Sequence, residues 1–86
     1  MHVEFDDEKD RTNREKHGIS LAAAADMETV LILSDLRRDY GEARFRAIGP
    51  IAGRLRSLAF TMRGGTLRAI SLRRASARER RLHERP

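Results

Sequence analysis

Seven arginines fall between Arg63 and Glu84: Arg63, Arg68, Arg73, Arg74, Arg78, Arg80 and Arg81, with Arg85 following. Glu79 and His83 stand among them. A guanidinium keeps its charge at any physiological pH, and its planar fork of N–H donors matches phosphate oxygens in pairs. The chain holds sixteen arginines and only two lysines, Lys9 and Lys16, so forks rather than point charges were placed here. Glu79 and His83 are four apart and would share one face of a helix. Residues of these types at these spacings describe an anion site for a polyanion, with a titratable pair inside it.

Three short elements must carry those groups. Gly64-Gly65 is a turn signal, Leu67 to Arg73 reads as a strand, and Ser76 opens a helix. Ser76-Ala77-Arg78-Glu79 also has the form of a capping box, in which the Glu79 carboxylate serves its own helix N-terminus. That reading competes with a chemical role for Glu79. For the hairpin, a two-residue loop would set Phe60 opposite Ala69, while a three-residue loop would set Phe60 opposite Ile70 and Leu58 opposite Leu72. The second sorts apolar from polar residues and is preferred on that ground, leaving Thr61, Arg63, Ser71 and Arg73 on an open polar face.

The rest of the chain supplies the frame. Val3-Glu4-Phe5 is a short strand candidate. Asp6 caps a helix that runs to about His17 and stops at Gly18, with Asp10 and Arg14 as an i,i+4 ion pair and Asp7 and Arg11 as another. Residues 6 to 17 contain no large aliphatic side chain, so this helix either projects into solvent or uses its side chains. Ser20 caps a shorter helix through the alanine run. Val30 to Leu33 reads as a buried strand, and Leu36 to Gly41 as a charged loop. Ala43 to Ile48 and Arg54 to Met62 read as strands separated by Gly49-Pro50-Ile51-Ala52-Gly53.

With 86 residues, the chain is expected to form a single α+β domain, 1–86, of three to four antiparallel strands with N-terminal helices and a C-terminal helix. There is no cysteine, which removes disulfides, thiolate chemistry and Cys-type zinc sites. Three scattered histidines show no metal-ligand spacing, so neither metal nor cofactor is expected. No apolar run approaches the roughly 18 residues of a membrane span, no signal-peptide pattern is present, and a cytoplasmic protein is expected. Net charge is +5, divided into −4 over residues 1–41 and +9 over residues 42–86. A basic half of that density suits a nucleic acid or an acidic protein.

Three blocks, in order, resemble the BrnT family of toxins from bacterial type II toxin-antitoxin systems. The first is Phe5-Asp6-Asp7-Glu8-Lys9 with Asn13, Lys16-His17-Gly18-Ile19-Ser20 and Ala25. The second is Asp39-Tyr40-Gly41-Glu42 with Arg44-Phe45 and Ile48-Gly49, and the third is Arg68 to Ala75 with Glu79-Arg80. Leu21 and His83 stand where that pattern has phenylalanine and tyrosine, and Leu72 where a small residue is common. The resemblance implies a RelE-like fold and a metal-independent endoribonuclease. It also implies a BrnA-like antitoxin partner, within a possible larger complex that meets operator DNA through the antitoxin.

Metal-free RNA cleavage needs a base for the 2′-hydroxyl proton, cations for the charge growing on phosphate, and an acid for the leaving oxygen. Arg73 is the leading phosphate clamp, with Arg74, Arg68 and Arg63 in support. Glu79 is the candidate base and His83 the candidate acid, since imidazole changes charge near neutral pH. Lys16 and His17 are second contributors, or simply cations favoured at a helix C-terminus. Arg80 is a further substrate contact, and Tyr40 and Phe45 could stack a base, whereas Phe60 reads as core. A non-catalytic RNA- or ribosome-binding module, and a protein-binding partner without activity, remain the competing readings, because phosphate contacts alone give affinity without chemistry.

Overall fold

The computed structural model describes residues 2–28, 30–35 and 41–85. Five strands form one sheet: β1 (Val3–Glu4), β2 (Leu31–Ser34), β3 (Phe45–Ile51), β4 (Arg54–Arg63) and β5 (Thr66–Arg74), in the order β1-β5-β4-β3-β2. Helix α1 (Asp7–His17) and a 3₁₀ helix (Leu21–Asp26) follow β1, and helix α2 (Ala77–His83) follows β5. The expected antiparallel sheet of three to four strands is therefore corrected to a mixed sheet of five. β1 runs parallel to β5, pairing Val3 with Leu67 and Glu4 with Arg68. Two residues carry no directional signal of their own, so only the docked structure reveals that pairing.

One face of the sheet holds the core. Phe45, Ala47 and Ile51 from β3, Leu58 and Phe60 from β4, and Ala69 and Leu72 from β5 meet Leu21, Ala24 and Met27 of the 3₁₀ segment. Phe45 and Phe60 are cross-strand partners whose rings stack at 5.5 Å between centroids. The alanine run follows from this arrangement, since small side chains let the 3₁₀ backbone lie close over the strands.

Both hairpin expectations need revision. β3 continues through Gly49 and Pro50, pairing Pro50 with Leu55, so the connection to β4 is only Ala52-Gly53. β2 pairs with β3 only as far as Ile48, so Pro50 stands where β3 has lost that neighbour and its missing N–H breaks no ladder with β2. Its carbonyl accepts from Glu28 N–H at 3.0 Å. The loop between β4 and β5 is the two-residue turn Gly64-Gly65, with φ of 56° and 79°. Phe60 lies opposite Ala69, yet Leu58 lies opposite Leu72, because the register shifts by one between Ala59 and Phe60. Each of the two weighed registers holds on one side of that bulge. Ala69 and Leu72 are both buried, at 1% and 0% exposure, and residues three apart can share a face only if the strand carries an extra residue.

The second face is not the open polar surface expected. Ser57 and Thr61 on it are buried, and α2 packs across it, held by hydrogen bonds that Glu79 accepts from Arg73 and Ser57. No helix among the described residues is long and apolar enough to cross a membrane.

Candidate active site

Helix α1 reaches its place without an apolar stripe. Asp6 caps it by accepting from Lys9 N–H at 3.0 Å, and Gly18 ends it at φ 70°, where a β-carbon would be strained. Arg14 pairs with Asp10 as expected, while Arg11 reaches Glu8, three residues back. Its attachment runs through Asn13, only 4% exposed. The Asn13 side chain accepts from Leu72 N–H at 2.9 Å and donates to Leu72 C=O at 2.8 Å and Ile19 C=O at 2.9 Å. β1 covers β5 only at Leu67 and Arg68. One amide side chain thus replaces a neighbouring strand further along that edge and fixes the helix rotation. Asp10 fastens the next element, accepting from Leu21 N–H and the Ser20 hydroxyl at 2.7 and 2.9 Å. The Leu21 bond, partly opposed by desolvation, holds its carboxyl below the usual range.

These attachments bring the end of α1 to the end of β5. Lys16, His17, Arg73 and Arg74 line one recess of about 330 Å³. No carboxylate is among those lining residues.

Behind Arg73 lies a buried polar network that joins four elements. Arg73 Nη1 and Nη2 donate to the two oxygens of Glu79 at 2.8 and 3.0 Å, and Nη1 also donates to Arg74 C=O at 3.0 Å. Glu79, 8% exposed, further accepts from Ser76 N–H at 2.8 Å and the Ser57 hydroxyl at 3.1 Å. Ser57 in turn accepts from Arg46 Nη1 at 2.8 Å, and Arg46 Nε lies 3.8 Å from Glu79. The capping box at Ser76 is complete in both directions. Burial alone would push the Glu79 carboxyl up; the Arg73 fork, the Ser76 amide and the Ser57 hydroxyl outweigh it and bring it down to about 2. Such a carboxylate is a weak proton acceptor near neutral pH.

Three of the five Arg73 N–H donors are thereby committed, all on the Nη edge. Nε–H and the second Nη2–H form the side-on pair of the same guanidinium, and no described residue accepts from them. Arg73 is thus clamped on one edge and offers a bidentate fork on the other.

The other expected site residues separate. Arg63 sits at the hairpin tip and hydrogen-bonds Glu42 at 3.1 Å. Arg73 is opposite Ser57, six residues from Arg63 along β4, which is ~20 Å. One phosphodiester cannot span that distance, so the expected convergence of Arg63 with Arg73 is not found. Arg68 lies between, opposite Thr61 and 3.6 Å from Glu4. Arg80 is exposed, His83 is half-buried at the end of α2, and Phe45 is packed against the core. Tyr40 lies outside the described residues. Ser57 and Arg46 were missed, although the Leu58–Leu72 register already sets Ser57 opposite Arg73.

A family model described as the ribonuclease toxin BrnT of type II toxin-antitoxin systems matches residues 5–79. The chain belongs to the BrnT family. BrnT membership makes it a ribonuclease toxin by family, with an antitoxin as partner and RNA as target. The match spans α1, strands β2 to β5 and Glu79, so every residue of the Arg73 recess and its supporting network lies within the BrnT region. No curated protein matches the chain.

Proposed function

We propose that this BrnT-family chain is a metal-independent endoribonuclease that cleaves RNA at the recess formed by Lys16, His17, Arg73 and Arg74. The observation that carries the reading is the Arg73 side-on edge left uncommitted by Glu79, on a side chain that lines a recess with three other basic side chains. The ribose 2′-oxygen loses its proton and bonds to phosphorus, the bond to the 5′-oxygen breaks, and that oxygen takes up a proton. The products are a 2′,3′-cyclic phosphate and a 5′-hydroxyl. Arg73, with Arg74 and Lys16, holds the charge growing on the phosphate oxygens. His17 is the proton-transfer group, because it is the titratable imidazole lining the recess. Glu79 positions Arg73 and takes no proton from substrate, in keeping with a carboxyl held at about 2. His83 is left one helical turn from Glu79 as a secondary proton donor, and Arg68 and Arg80 as outlying RNA contacts.

In this reading a BrnA-like antitoxin covers the basic surface from Arg63 to His83 and tethers the complex to operator DNA. The fold corresponds to the RelE type. The test is incubation of the purified chain with RNA in excess EDTA, followed by chemical analysis of fragment ends. Cyclic phosphate ends that disappear with Arg73→Ala support the reading. Intact RNA that is nevertheless bound, with affinity falling steeply as salt rises, overturns it in favour of a non-catalytic binding module.

A further inference from the structure

A second recess also has Arg73 in its lining. It has a volume of about 390 Å³, and among its lining residues are Leu33, Asp35, Arg78, Glu79 and Leu82. Arg73 lines both recesses, so the second is next to any phosphate that Arg73 holds in the first. We propose that this second recess is a nucleobase subsite for the nucleotide flanking the scissile phosphate, an inference that rests on the ribonuclease reading above.

The two recesses differ in charge and polarity, and this difference decides what each takes. The Arg73/Arg74 recess is lined by cations without a carboxylate. The second has Glu79 and Asp35 in its wall, and Glu79 already takes the Arg73 fork and lies 3.8 Å from Arg46. Its arginine charge is largely compensated, so a second phosphate would meet acid groups with little net attraction. A neutral, flat ring suits it better. Leu33 from β2 and Leu82 from α2 supply apolar surface, and the exposed Arg78 supplies a guanidinium plane at the rim. Serine groups at Ser34 and Ser76 give polar atoms for a base edge. The subsite takes Leu33 and Ser34 from β2 and Arg78, Glu79 and Leu82 from α2, and shares only Arg73 with the phosphate recess.

The experiment maps one cleavage site in a long RNA and makes short oligonucleotides around it. The all-ribose control is assayed for cleavage. Non-cleavable versions, with 2′-deoxyribose at the scissile nucleotide, carry an abasic residue on one or the other side and are assayed for binding to the full chain. Wild type, Arg78→Ala and Leu82→Ala are compared, with circular dichroism confirming that each variant folds. Removing the base on one side is expected to weaken binding to wild type by roughly five- to 150-fold, the range for losing one stacked base. The same removal should cost several-fold less in both variants, because the surface that holds the base is already gone. An abasic penalty that is absent, or equal in wild type and variants, overturns the subsite while leaving the nuclease reading intact. A control oligonucleotide that is neither bound nor cleaved overturns both.

Discussion

Glu79→Gln separates a carboxylate that anchors Arg73 from one that abstracts protons. Glutamine keeps the shape and the acceptor facing the Ser76 amide but removes the charge that Arg73 and Arg46 share. Lowering the carboxyl from an ordinary 4.5 to about 2 corresponds to ~3 kcal/mol of folded-state stabilisation. Because the folded value is depressed, that stabilisation is fully present above about pH 4.5 and is lost as pH falls towards about 2. Urea unfolding followed by circular dichroism, at pH values from 7 down to 2.5, reads it as the difference between the two proteins. The gap should be ~3 kcal/mol near neutrality, a fall in melting temperature of roughly 12–24 °C, and should close through the acid window. Other carboxylates, Asp10 and Glu42 included, titrate in both proteins and cancel. A gap that stays constant across that window, or no gap at pH 7, refutes the buried ion-pair account.

Asn13→Ala removes three hydrogen bonds and leaves the Leu72 N–H and C=O unmatched. It should lower stability by about 2–4 kcal/mol in urea unfolding and reduce cleavage further, because Lys16 and His17 lose their fixed place. Ala52 holds a φ of 49° in the β3–β4 turn, a region that asparagine adopts at lower cost than alanine. Ala52→Asn should therefore raise stability by ~0.5–1 kcal/mol in the same assay. Arg63→Ala breaks an exposed pair with Glu42 at the far end of β4 and should leave the single-turnover cleavage rate within about twofold of wild type, against the ~100-fold or greater loss expected of a phosphate clamp.

The elements that position the site were legible where local chemistry decides them. Asp6 and Gly18 bound α1, Ser20 opened the 3₁₀ segment, and Ser76 with Glu79 gave the capping box, each through a side chain acting within a few residues. Partners far apart in sequence were less legible. Asn13 and Leu72 are 59 positions apart, and nothing local indicates that a polar helix will dock through one amide. The bulge at Ala59/Phe60 reconciled two registers that hydrophobic sorting treats as exclusive, although Ala69 and Leu72, both apolar and three apart, carried its trace. Arg63 was grouped with Arg73 because both lie in one basic stretch; a strand length separates them. Ser57 escaped notice because a lone serine between Arg56 and Leu58 reads as surface until α2 covers it.

The most direct test is the single-turnover cleavage rate of Arg73→Lys beside wild type, at equal folded concentration and in EDTA. Lysine preserves the positive charge but cannot hold Glu79 on one edge while presenting paired donors on the other. The account predicts a loss of roughly 100- to 1000-fold, the scale for removing one preorganised donor to a developing oxyanion. A rate equal to wild type would contradict the claim that the clamped guanidinium fork is what holds the phosphate.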